Sequence, residues 1–65
     1  MPDFGKALIA ERSRRGLNQG DLAKLTECDI HTVIDIERGR VTITRNCFKE
    51  MVAAMDTKDS QEANR

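Results

Sequence analysis

The chain has 65 residues and a mass of 7.3 kDa, too little apolar area for two cores, so a second domain is excluded. With 38% apolar and 34% charged residues, one proline and four glycines, its composition is globular rather than disordered or fibrous. Lys+Arg and Asp+Glu both number 11, so bulk charge neither points to nucleic acid nor excludes it.

Asp3 has N-cap chemistry, and Phe4, Ala7, Leu8 and Glu11 follow at helical spacing until Gly16, which predicts a first helix from about Phe4 to Arg15. Arg12, Arg14 and Arg15 fill its last turn, where positive charge opposes the helix dipole, and Arg14 and Arg15 read as a solvated helix end. Asn18 is a second N-cap, with Asp21 at the third helical position and Leu22, Ala23 and Leu25 supplying an apolar stripe of about two turns. Thr26, Glu27 and Cys28 make a turn. Asp29 then caps a third helix of about nine residues, carrying Ile30, Val33, Ile34 and Ile36 and ending at Arg38 and Gly39. Residues 40–43 read as an exposed loop, after which Thr44 caps a fourth helix with Phe48, Met51, Val52 and Met55 on one face. From Thr57 to Arg65 the chain is polar apart from Ala63, so a folded unit over 1–56 with a frayed tail over 57–65 is expected.

Two phenylalanines without Trp or Tyr leave a core of Leu, Ile, Val, Met and Ala, which favours packed helices over sheets. The predicted fold is all-α. Its second and third helices, joined by a turn of three or four residues, have the arithmetic of a helix-turn-helix. No apolar run approaches the roughly 18 residues of a membrane span, and a signal-peptide pattern is missing, so a cytoplasmic protein is expected. Cys28 and Cys47 form no CxxC, and with the one histidine they make no four-ligand set. Both read as reduced packing thiols, and neither a metal nor a cofactor is expected.

The stretch Gly16-Leu17-Asn18-Gln19, followed by Asp21-Leu22-Ala23, Thr32-Val33 and Ile36-Glu37-Arg38-Gly39, closely resembles the Cro and phage-repressor helix-turn-helix family, also called the xenobiotic-response-element family. The similarity covers residues 4 to about 56. It implies a compact four- to five-helix bundle of the lambda-repressor-like type, whose third helix lies in the major groove of double-stranded DNA and whose homodimers read pseudo-palindromic operators. By the same resemblance, Arg12 and Glu37 match a structural ion pair tying the first helix to the third. Gln19 matches a phosphate-contacting glutamine, with capping support for the second helix as the alternative. Val33 and Ile36 match core positions, whereas Ile30, His31, Ile34 and Asp35 match base-reading ones. Arg40, Arg45 and Asn46 fall where the family touches the sugar-phosphate backbone, with Thr42 or Thr44 able to donate a hydroxyl and Thr32 toward phosphates, a solvated loop being the alternative.

The base-reading set departs from the Gln, Arg, Ser or Asn more usual in the family. An isoleucine can meet a thymine methyl, His31 can donate to guanine, and Asp35 can accept from cytosine. Against DNA stands the charge of residues 18–40, where Lys24, Arg38 and Arg40 face Asp21, Glu27, Asp29, Asp35 and Glu37. Glu27 also occupies a turn position that is usually glycine, at a cost of roughly 1 kcal/mol if the residue must be left-handed. Two functions follow. The first is a DNA-binding transcriptional regulator, a repressor or autoregulatory switch similar to phage repressors and controller proteins. The second is a helix-turn-helix that has lost DNA and binds a protein partner through Ile30 and Ile34. A catalytic constellation has nowhere to sit.

Overall fold

The computed structural model describes residues 3–63, with side chains through residue 57. Four helices follow in order: α1 (Phe4–Arg14), α2 (Gln19–Thr26), α3 (Ile30–Glu37) and α4 (Arg45–Ala63). Among the described residues there is no strand, in keeping with the all-α expectation. The stretch 57–65, where fraying is expected, overlaps the end of α4 at Ala63, and its side chains past residue 57 lie outside those described.

Each helix starts where its cap chemistry directs. The Asp3 carboxylate accepts from the Lys6 N–H at 3.0 Å, and Asp29 accepts from the His31 N–H at 2.7 Å. Asn18 and Asp21 form a reciprocal capping box, with bonds of 2.7 and 3.0 Å. Thr44 Oγ1 accepts from the Cys47 N–H at 3.0 Å. The ends of α1, α2 and α3 share a second device, in which a left-handed residue lets the next N–H reach back five residues and satisfy an orphan carbonyl. Leu17 N–H reaches Arg12 O at 3.1 Å past Gly16, Cys28 N–H reaches Ala23 O at 2.9 Å past Glu27, and Arg40 N–H reaches Asp35 O at 2.8 Å past Gly39.

Two of these left-handed positions are glycines, but Glu27 has φ +56° and carries the steric cost of its Cβ. Glu27→Gly is therefore expected to raise stability by up to about 1 kcal/mol, less whatever glycine's greater unfolded-state entropy takes back. Urea unfolding would read this directly. The connection spans residues 27–29, within the three or four expected, but starts one residue later, because Thr26 belongs to α2, its hydroxyl donating to Leu22 O at 2.8 Å.

The helices close over Leu8, Leu17, Leu22, Ala23, Val33, Ile36, Met51 and Met55. Leu8, Leu22, Val33 and Met55 are entirely excluded from solvent, and Val33 and Ile36 occupy the core as the spacing predicts. Phe4 stacks on Phe48, with ring centroids 5.1 Å apart, closing α1 against α4. A second tie between these helices corrects the reading of Arg15 as a solvated end. Its side chain is only 5% exposed, paired with Glu11 at 2.8 Å and with Asp56 at 2.6 Å. Arg15 and Arg14 hold the Glu11 carboxyl below its ordinary range, while Glu11 and Asp56 hold the Arg15 guanidinium above its own. Arg14 does remain in solvent.

Cys47 packs against the core as expected. Cys28 does not, being exposed at the turn, although both cysteines line one groove of about 390 Å³ bordered by the end of α2, α3, the following loop and α4.

Candidate nucleic-acid interface

The pose of α3 is set by one buried carboxylate. Glu37, with its side chain 4% exposed, takes a two-pronged contact from Arg12 of α1, Nε to Oε2 at 2.7 Å and Nη2 to Oε1 at 3.1 Å. Gln19 Nε2 of α2 donates to the same Oε1 at 2.9 Å, and Arg12 Nη1 donates to Leu17 O at 2.9 Å. The last residue of α3 is thus bonded to α1 and to the start of α2 by charge-assisted bonds. The resemblance implied the pair, but not that Gln19 joins it. One amide hydrogen of Gln19 is committed inward, which leaves its second N–H and its carbonyl for any other partner.

With Val33, Ile36 and Glu37 buried, α3 turns Ile30, His31 and Thr32 to solvent and leaves Ile34 and Asp35 half-buried. Ile30 is 42% exposed, and Gly20 of α2 has no side chain to cover it: a Cβ there would lie 4.0 Å from Ile30 Cδ1. Of the four residues expected to read bases, Ile30 and His31 are exposed and Ile34 and Asp35 half-buried. Arg40 folds back toward them, since its N–H bonds Asp35 O and its guanidinium lies 3.9 Å from the Asp35 carboxylate. Arg40 remains largely in water, so this pair is worth little to stability.

In the loop and at the start of α4, Thr42, Thr44, Arg45 and Asn46 are all exposed. Thr44 caps α4, so Arg45 and Asn46 lie in its first turn, where backbone N–H groups have no helical partner. The Arg45 guanidinium rests over the Phe4 ring, 5.9 Å from the centroid, which anchors its stem on α1.

Acidity of the segment is largely absorbed. Asp21 is held in a capping box, Asp29 caps α3, Glu37 is neutralised by Arg12 from outside the segment, and Asp35 faces Arg40. Two helices joined across a tight left-handed turn, the second fixed by its end and exposed along one side, make a unit for presenting a helix to a partner. A family profile described as a helix-turn-helix domain matches residues 3–64. The chain belongs to the helix-turn-helix domain family. No curated protein and no solved structure matches it. In this helix-turn-helix, α2 is the supporting helix and α3 the presented one. No helix of the described residues is long and apolar enough to cross a membrane.

Proposed function

We propose that this protein is a sequence-specific regulator of transcription that binds double-stranded DNA with α3 in the major groove. The supporting observation is the outward face of α3, which carries Ile30, His31, Ile34 and Asp35 while every other acidic side chain of the helix-turn-helix except Glu27 is tied up in caps or ion pairs. Arg40 and Arg45 flank that face as phosphate contacts, with Thr32, Thr42, Thr44 and Asn46 as hydroxyl and amide donors and the second Gln19 N–H at the start of α2. The protein acts in the cytoplasm and joins the nucleoid when on DNA. Like other helix-turn-helix proteins that read paired half-sites, it works as a homodimer on a pseudo-palindrome and represses or switches a nearby promoter. It is a binding protein and not an enzyme.

Fluorescence-anisotropy titration against DNA upstream of its own gene, beside a scrambled duplex, tests this reading. Preference for the upstream duplex by about 10³ or more, falling steeply with salt, is the expected result. Arg40→Ala and Arg45→Ala should each weaken both duplexes to a similar degree and reduce the salt slope by about 1. Equal, weak binding of both duplexes at low salt would overturn it. The exposure of Ile30 supports a second reading, an interaction module that docks a protein on the Ile30/Ile34 face. Under that reading Ile30→Ser abolishes capture of the protein partner and leaves DNA affinity unchanged.

A further inference from the structure

The outward face of α3 is unusual in which of its groups are available. Its carboxylate, Asp35, is drawn to Arg40, whose backbone N–H also bonds the Asp35 carbonyl at 2.8 Å. The neighbouring amide, Gln19, donates inward to Glu37. Beside the exposed His31 and Thr32, the face carries two apolar groups: Ile30, 42% exposed with Gly20 leaving it uncovered, and Ile34, half-buried one turn along. Base edges in the major groove present donors, acceptors and one apolar group, the C5-methyl of thymine.

From this we infer that the protein reads thymine methyl groups in its operator, with Ile30 and Ile34 as the residues that make those contacts. The inference rests on the reading of α3 as the major-groove helix. Positions four apart on a helix lie about 6 Å from each other, and base pairs rise by about 3.4 Å, so the two isoleucines span about two base-pair steps. Each therefore meets a methyl on a different pair. The Arg40 and Arg45 contacts hold the register, while the methyls add discrimination to the polar contacts of His31 and Asp35.

The experiment selects duplexes from a random pool with the full chain, then replaces thymines of the enriched operator by uracil, which differs only in lacking the methyl. Enriched operators should carry thymines about two steps apart in each half-site, and each uracil replacement there should weaken binding about fourfold. Ile30→Ala, a change at an exposed position, should make thymine and uracil at one of those sites equivalent. An operator that binds specifically but tolerates uracil within about twofold, or that lacks thymine at these sites, would overturn the methyl readout and leave DNA binding standing. If the pool yields no enriched duplex, both readings fall, and the isoleucine face is left to a protein partner.

Discussion

Glu37→Ala is expected to cost about 3–5 kcal/mol, the usual penalty for breaking a buried ion pair by removing one partner. The alanine leaves the Arg12 guanidinium, in a side chain only 16% exposed, without its carboxylate, and it takes the acceptor from Gln19 Nε2. A domain of this size holds only about 3–10 kcal/mol in all, so much of the variant should be unfolded at ambient temperature. Urea titration followed by far-UV circular dichroism measures the loss. The double variant Arg12→Met/Glu37→Leu should recover a substantial part, because two apolar side chains of similar volume remove the unpaired charge. A loss below about 1 kcal/mol in Glu37→Ala would mean that α3 is held by something other than this carboxylate.

Gly5→Ala is the second large effect, although alanine is the better helix former. A Cβ at Gly5 would press into the Ile36 carbonyl oxygen inside contact distance, with Glu37 O at 3.2 Å and Asp3 Oδ1 at 3.3 Å. The first two obstacles are backbone, so α1 must move away from the end of α3 and strain the Arg12–Glu37 contact with it. Overpacking of this kind costs about 2–3 kcal/mol. In a small domain that lowers the melting temperature by roughly 10–20 °C. Thermal unfolding of Gly5→Ala is the check; an unchanged or raised melting temperature would show that helix propensity outweighs the clash.

These two positions also show what was legible in the sequence. Caps and left-handed ends were, because Asp3, Asn18, Asp29, Thr44, Gly16 and Gly39 act on backbone groups within a few residues of themselves. The stripe Val33, Ile36, Met51 and Met55 was legible for a similar reason, since one face of a helix must be covered. Gly5 was not, because its role is set by the carbonyls of residues far along the chain. Arg15 looked like one of three arginines in the last turn of a helix, and only the packing of α4 brings Asp56 to it. At the candidate site, the outward placement of Ile30 and His31 followed from their neighbours being core. The inward turn of Gln19 and the attraction of Asp35 to Arg40 depend on Glu37 and on the loop, which local pattern does not encode.

The most direct test of α3 as the DNA-reading helix is amide chemical-shift mapping of the intact protein, titrated with its enriched duplex. The expected result is saturable perturbation concentrated at residues 30–35, at Arg40 and at 44–46, with the start of α2 following and the α1 face around Lys6 and Ala10 unmoved. Shifts that instead centre on the groove beside Cys28 and Cys47, or none at protein concentrations where a specific complex saturates, would contradict it.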